Sequence, residues 1–232
     1  MSQGKRFKEN SSMYDSNKEY HLVEAVDLLH SFTSSKFDES IDISVNLGVD
    51  PKHADQLVRG TVSLPNGTGK NVKVVVVVKD DEKAKKAKGL GAIEAGSDEV
   101  VYKIKKGWLD FDVMIASPEM MAEVGKLGRV LGPRGLMPNP KVGTVTPNIE
   151  KALEEVLAGK VEYRVDKAGI IAVSIGKLSF DKDKIIENVN TCMTAILKSK
   201  PSSVKGVYFK KFTISSTMSP GLKVNKSDFI FL

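Results

Sequence analysis

Alternating apolar and polar residues near the N-terminus predict a strand that buries one of its two faces. The apolar positions are Ile41, Ile43, Val45 and Leu47, and the polar positions between them are Asp42, Ser44 and Asn46. A period of two is typical of strands in antiparallel sheets. In the last third of the chain, the pattern predicts a hairpin of residues 161–165 and 169–175 and a strand over residues 204–215.

Two helices accompany these strands in the sequence pattern. Apolar residues recur at intervals of three and four positions, which predicts one buried stripe on each helix. The first stripe consists of Leu22, Val23, Val26, Leu29 and Phe32, and the second of Ile185, Ile186, Val189, Met193, Ile196 and Leu197. Together with the strands, these helices predict an α+β domain with an antiparallel sheet, built from both ends of the chain.

The middle of the chain follows a different pattern. Residues 72–78 and 111–116 are short apolar runs, which predict strands buried on both faces of a parallel sheet. A charged helix is expected over residues 80–88. Strands that alternate with helices predict a three-layer α/β unit.

Two Ser/Thr-Pro pairs mark expected helix starts in this middle region. Ser117 precedes Pro118, and Thr146 precedes Pro147 ahead of a helix expected over residues 148–157. Serine and threonine cap helices, and proline is favoured at the first helical position.

An α/β unit is therefore expected to interrupt the α+β unit. The predicted boundaries place residues 1–66 and 160–232 in a discontinuous α+β domain and residues 67–159 in an inserted α/β domain. Glycine-bearing segments at residues 65–69 and 158–159 are the expected crossings. Two crossings that lie close together would form a hinge between rigid bodies.

Composition narrows the class of protein only modestly. The chain has 232 residues, 41% of them apolar, and a formal net charge of +6, so a sizeable core and a mild preference for anionic partners are expected. No apolar run is long enough for a membrane span, and the polar N-terminus lacks a secretory signal. A single cysteine, Cys192, excludes an internal disulfide and fits a reducing cytosol.

Residues 124–149 form a basic, glycine- and proline-rich segment without Asp or Glu. Because glycine permits unusual backbone angles and proline restricts its own, neither a helix nor a strand is expected there. The cations of this basic loop are Lys126, Arg129, Arg134 and Lys141. A shaped loop without counter-charge suits a polyanion, and a structured connection that is basic by chance explains the pattern equally well.

A second basic stretch lies between Glu187 and Asp228, where no carboxylate side chain occurs. Its lysines are Lys198, Lys200, Lys205, Lys210, Lys211, Lys223 and Lys226. Such lysines supply most of the affinity of proteins for nucleic acid, and a solvated lysine face is the alternative. Ser215, Ser216 and Thr217 add hydroxyls that can bond a ribose 2′-OH or a base edge, or can belong to an edge strand with a capped turn.

Five segments of the chain resemble the L-one family of large-subunit ribosomal proteins, bacterial type. They are residues 36–70, 104–118, 132–148, 159–171 and 205–218, where 132–148 reads GPRGLMPNPKVGTVTPN. They follow the order of the family and cover nearly the whole chain. The resemblance implies a discontinuous split β-α-β domain that binds RNA and a Rossmann-like insert.

The resemblance also implies which residues contact RNA. The first set is Lys36, Phe37, Ser40, Ser216, Thr217 and Met218, and Lys210, Lys211, Ser215 and Ser219 extend it. Arg164, Asp166 and Lys167 are expected on the hairpin, and Arg129, Arg134 and Lys141 form a secondary basic loop. The chain departs from the family pattern at Ser219, where a glycine is usual, and at Val165 and Ala172. A serine in place of glycine is expected to weaken or shift a close backbone approach to RNA.

The function that the resemblance implies is structural rather than enzymatic. The expected partners are large-subunit rRNA at the mobile stalk, exit-site tRNA whose release the protein assists, the mRNA of its own operon, and other large-subunit components. The protein is expected to be a cytoplasmic, ribosome-bound monomer without membrane contact.

Two rival functions remain open at this point. A nucleotide-using enzyme is the first, although residues 67–70 (GTGK) lack the earlier glycine and the following Ser or Thr of a phosphate loop. A DNA-binding regulator is the second, although no recognition helix is evident. No metal or other cofactor is expected, because the histidines at positions 21, 30 and 53 lack metal-ligand spacing.

Overall fold

The structure, a computed structural model, describes residues 4–33, 35–204 and 206–229, without the side chain of residue 54. The helices are α1 Lys5–Ser12, α2 Leu22–Ser31, α3 Asp81–Gly89, α4 Asp98–Lys105, α5 Met121–Gly125, α6 Gly128–Leu131, α7 Ile149–Leu157 and α8 Lys182–Lys198. The strands are β1 Ser40–Leu47, β2 Arg59–Ser63, β3 Val74–Val77, β4 Glu94–Gly96, β5 Val113–Ala116, β6 Lys160–Arg164, β7 Ile170–Lys177, β8 Phe209–Ser216 and β9 Leu222–Val224. The chain thus mixes helices with antiparallel and parallel sheets.

One compact unit contains the residues up to Lys70 and those from Gly159 onward. Its main sheet is antiparallel and has the strand order β7-β1-β8-β9. The apolar positions of β1 are buried and its polar positions are partly exposed, which confirms the predicted alternation. Helices α2 and α8 pack on the apolar face of this sheet and form one core with it.

The structure corrects three predictions in this unit. Strand β6 pairs with β2 rather than with β7, and only one bridge, Val165 to Ile171, joins the two arms of the predicted hairpin. Strand β8 begins at Phe209 instead of residue 204, because the chain turns before it. Val23 is 56% exposed, since Ala25 takes its place in the buried stripe of α2.

The chain leaves and re-enters this unit at points that touch each other. A Cβ on Gly159 would lie 2.5 Å from the Cα of Gly67, and Gly159 has φ +105°, so a side chain does not fit there. Asn188, a fully buried residue of α8, donates to the carbonyls of Gly67 and Ile175 at 3.0 and 2.8 Å. Its Oδ1 accepts from the backbone N–H of Asn66 at 3.2 Å.

The second compact unit is Asn71–Ala158. Its parallel sheet has the order β4-β3-β5, and all four residues of β3 are buried. Val74 and Val76 join a core with α3 and α7, whereas Val75 and Val77 join a separate core with α4 and α5. Both faces of the sheet are therefore covered, which explains the unbroken apolar run.

Two expectations for the second unit were wrong in detail. Asn148, not Thr146, occupies the N-cap position of α7, without a side-chain capping bond, and the Thr146 hydroxyl accepts from the Asn148 N–H at 3.2 Å. The basic segment of residues 124–149 is partly helical: it contains α6 and a 3-10 helix at Pro140–Val142. Glycine lowers helix propensity without excluding a single turn, and that turn buries Leu131.

Candidate nucleic-acid interface

The sheet register joins two segments that are far apart in the sequence. Ile41 on β1 pairs with Ser216 on β8, so the start of one strand meets the end of the other. The Thr217 N–H donates to the Ser40 carbonyl at 3.0 Å, and the Ser40 N–H donates to Thr217 Oγ1 at 3.0 Å. Residues 36–40 and 216–219 therefore form one site, which we name the turn end.

A buried carboxylate holds the turn end together. Glu39 is only 2% exposed. Its Oε1 accepts from the Ser35 N–H at 2.8 Å, and its Oε2 accepts from Ser216 Oγ at 2.5 Å and from the Met218 N–H at 3.0 Å. Burial alone raises the pKa of Glu39, but hydrogen bonds from Ser216, Met218 and Ser35 outweigh burial and hold the pKa below its ordinary value of 4.5.

The turn end presents two apolar side chains to solvent. Phe37 is 54% exposed and Met218 is 48% exposed, and Lys36 beside Phe37 is exposed as well. Glu39 follows Phe37 by two residues and binds the backbone of Met218, so both side chains lie at the same end of the sheet. An aromatic ring, a thioether and an ammonium group together can stack on a base, pack on a sugar and meet a phosphate.

The serines of the turn end have different surroundings. Ser216 is buried, and its hydroxyl is bonded to Glu39, so it braces the turn from inside. Ser215, the next residue back, is partly exposed on the opposite face of the sheet. Ser219 Oγ accepts from the Ser216 N–H at 2.9 Å and lies 3.1 Å from the Pro220 carbonyl, to which it donates. The side chain that replaces the usual glycine is thus folded into its own turn.

Three residues that support the turn end did not emerge from the sequence. Glu39 is the first of them. The sequence does contain a signal for it, because the alternation of buried positions in β1, continued backward from Ile41, places Glu39 on the buried face. The others are Lys177, whose Nζ donates to Ser40 Oγ at 2.9 Å, and Asp38, which accepts from Ser179 Oγ at 2.8 Å. No local pattern signals these two, because their partners are remote in sequence.

Other predicted site residues lie at the opposite end of β1. Asn46 pairs with Ile170 on one side and with Lys211 on the other, six positions from Ser40. At about 3.3 Å per residue, the two ends are roughly 20 Å apart. The structure therefore separates Asp166, Lys167, Lys210 and Lys211 from Phe37 and Met218 by most of the length of a strand.

Asp166 shapes the turn that precedes β7. Its Oδ1 accepts from the N–H groups of Ala168 and Ile170 at 2.8 and 2.9 Å, which leaves Lys167 exposed at the tip.

Arg164 lies on β6 directly opposite Arg59, and both are exposed. Like charges that lie directly opposite each other on two strands repel each other. Lys205 lies outside the residues that the structure describes.

The secondary basic loop belongs to the other compact unit. Arg129 lies on α6, Arg134 follows it, and Lys141 lies in a 3-10 helix; all three are exposed. The fold of the loop is specified locally, because Asn139 Oδ1 accepts from the Lys141 N–H at 2.9 Å.

A pocket of about 230 Å³ lies where β3 and β5 end, the usual place for ligands in α/β sheets. Its lining includes Lys79, Lys83, Asp80 and Glu119, so its formal charges cancel. Asp80 is occupied in capping α3 through the Glu82 N–H at 3.1 Å. This pocket is where the rival nucleotide-binding function would reside, and its charge does not favour a phosphate.

The described residues hold neither a metal-ligand cluster nor a helix suited to a membrane. No group of three His, Cys, Asp or Glu residues there could hold a metal ion, and no helix in those ranges is long and apolar enough to cross a membrane. The lone thiol, Cys192, is fully buried, and burial raises its pKa to about 12, so it behaves as a packing residue.

A comparison with known families matches most of the chain. The model of the ribosomal protein L1p/L10e family matches residues 29–220. The matched range begins within α2 and contains β1, β8 and every residue of the turn end, and it ends before β9.

Proposed function

Because the chain belongs to the ribosomal protein L1p/L10e family, we propose that the turn end is the surface by which it binds large-subunit rRNA. Membership makes the protein a structural, non-enzymatic component of the large ribosomal subunit that binds rRNA. The finer assignment of that binding to particular residues is our proposal. The observation that carries it is the Glu39 carboxylate, which fixes both turns from inside.

Fixing the turns in advance favours binding. A protein that must order two loops when it meets its partner loses part of the interaction free energy to conformational entropy. Here the Ser40–Thr217 bonds and the three bonds to Glu39 order the loops before RNA arrives. Phe37 and Met218 are then presented to solvent as a rigid pair.

The chemistry of the turn end suits RNA better than a protein partner. Unstacked RNA bases stack on aromatic side chains, and this stacking contributes about 1–3 kcal/mol per base. Lys36 supplies a cation for the adjacent phosphate. The Thr217 hydroxyl is held at the surface by Ser40 and can share a 2′-OH contact in addition.

Our proposal extends to the roles that the family resemblance implies. The protein would bind rRNA at the mobile stalk beside the exit site, as a cytoplasmic monomer within the ribosome, among other large-subunit components. The unit Asn71–Ala158 would move about the paired crossings at Gly67 and Gly159 as deacylated tRNA leaves. The same RNA surface would bind a similar fold in the mRNA of its own operon and repress translation.

Replacing Phe37 with alanine tests the proposed surface. We expect Phe37→Ala to weaken binding to protein-free large-subunit rRNA by about 1–3 kcal/mol, or roughly 5- to 160-fold, through lost stacking. Val23→Ala is the matched control, because Val23 is also an exposed apolar residue but lies on α2. Equal affinities of the two variants in a filter-binding titration would exclude Phe37 from the interface.

RNA footprinting tests the location on the ribosome. Large subunits with and without the chain are probed, and protection is expected in one contiguous RNA segment. Adding the leader of the operon mRNA as a competitor tests repression separately: it should displace the rRNA segment if both use the turn end, and should leave it bound if they do not.

A further inference from the structure

A cluster of lysines surrounds a small pocket at the opposite end of the main sheet from the turn end. The pocket has a volume of about 120 Å³, and its lining includes Lys210, Lys211, Lys223 and Lys226. We name these four residues the lysine corner. The family match ends at residue 220, so Lys223 and Lys226 lie beyond it.

The sheet register places two of these lysines on one face. Thr213 pairs with Lys223, and Lys211 lies two residues along the same strand, so Lys211 and Lys223 are diagonal neighbours. Thr213 also pairs with Ser44, and Lys211 with Asn46. Lys211 and Lys223 therefore lie on the same face of the sheet as the polar side chains of β1. Ser40, which belongs to the turn end, is the first residue of β1 on that face.

The lysine corner has little counter-charge of its own. Across the described parts of the chain, none of its four lysines takes part in an ion pair, and the one acidic residue in the pocket lining is Glu19. Ammonium groups held this close repel one another, and a bound anion relieves the repulsion. Asn17 in the same lining adds an amide that can donate to a phosphate oxygen.

The face between the two sites disfavours a continuous anion contact. Asp42 lies between them on β1, two residues from Ser40, and pairs with Ser174 and Ser215; its carboxylate repels phosphate. A polyanion that spans this face would therefore contact it at the two ends, roughly 20 Å apart.

We propose that the lysine corner is a second RNA-contact site. It would bind backbone phosphates of the same RNA molecule that the turn end binds. The inference rests on the proposed function, and it adds Lys223 and Lys226 to the interface. RNA is favoured over an acidic protein because both sites share one sheet face. The turn end would select the RNA, and the lysine corner would add affinity that is independent of base sequence.

Salt dependence tests this inference. Each phosphate that a lysine neutralises adds roughly 0.7–0.9 to the slope of log affinity against log salt. We expect the double variant Lys223→Gln/Lys226→Gln to lower that slope for protein-free large-subunit rRNA by roughly one to two. The control, Lys182→Gln/Lys184→Gln, removes the same charge from exposed positions of α8, the helix that packs on the other face, and should leave the slope unchanged. Unaltered circular dichroism would verify that both variants fold.

The outcomes separate this inference from the proposed function. If both double variants keep the wild-type slope while Phe37→Ala still weakens binding, the lysine corner does not contact RNA and the turn end does. If the wild-type chain does not bind the RNA, the proposed function and this inference both fail. If poly-L-glutamate binds the wild type but not Lys223→Gln/Lys226→Gln, and the RNA slope is unaffected, the partner is an acidic polypeptide and the inference is wrong.

Discussion

The two ends of strand β1 differ in how their polar groups are satisfied. At the turn end, the hydroxyls of Ser40, Ser216, Thr217 and Ser219 are hydrogen-bonded within the protein, and the Glu39 carboxylate is buried. At the lysine corner, four cations surround a pocket without ion pairs in the described residues. The comparison shows two different contributions to binding: an ordered apolar surface discriminates between ligands by shape, whereas a cluster of lysines attracts any polyanion by charge.

Neutralising the buried Glu39 carboxylate, which holds the turn end together, should have the largest effect on stability and on RNA affinity. Glu39→Gln replaces one acceptor oxygen with an NH2 group, which cannot accept from Ser216, Met218 or Ser35, and leaves the other oxygen as a weaker, uncharged acceptor. Because hydrogen bonds to charged groups contribute about 1.5–3 kcal/mol each, we expect the free energy of unfolding to fall by about 3 kcal/mol in urea titrations. RNA affinity should fall at every salt concentration without a change in slope, since the lysine corner is intact.

Asp38→Asn is the matched control for Glu39→Gln. Asp38 is the adjacent acid, but it is exposed, and among the described residues its carboxylate accepts from the N–H and the hydroxyl of Ser179, so a loss below about 1 kcal/mol is expected. Comparable losses in the two variants would show that Glu39 is not the residue that organises the turn end.

Acidification should reduce the contribution of Glu39. Its pKa in the folded protein lies below the ordinary 4.5, so the unfolded chain binds the proton more tightly. The stabilisation is therefore complete above the unfolded pKa and is lost as the pH falls through the folded pKa. The difference in unfolding free energy between wild type and Glu39→Gln should shrink from about pH 6 to about pH 3, and a constant difference would contradict the assignment.

Removing the Thr217 hydroxyl should have a smaller effect that is confined to the turn end. Thr217→Ala removes the group that accepts from the Ser40 N–H at 3.0 Å, and we expect a loss of about 1–2 kcal/mol in RNA affinity. Thr217→Ser retains the hydroxyl and should retain most of the affinity in the same titration. An equal loss in both variants would assign the effect to the methyl group instead.

Ser219→Gly should have the smallest effect. It restores the glycine that is usual in the family but removes the oxygen that accepts from the Ser216 N–H, so the unfolding free energy should fall by about 0.5–1 kcal/mol. Because the Ser219 side chain is folded into its turn, RNA affinity should change by less than about 0.5 kcal/mol. A tenfold gain in affinity would show that this side chain obstructs RNA.

Part of the candidate site could be read from the chain before its structure was known. The alternation over residues 41–47 predicted β1, and its backward extension places Glu39 on the buried face. The exposure of Phe37 could not be predicted in this way, because an aromatic residue after a helix is more often buried. Ser216 and Ser215, equally polar in sequence, face opposite sides of the sheet only because β8 continues through both of them.

By itself, the sequence determined the alternation of β1, the two buried faces of β3 and the acid-free stretch between Glu187 and Asp228, since these depend on residue type and spacing. The tertiary structure alone decided that Ser40 meets Thr217 and that Lys211 lies a strand length from Phe37. Strand pairing across more than 170 residues is set by the packing of the whole core. A local pattern of apolar and polar residues specifies which face of a strand is buried, but not which distant strand lies beside it.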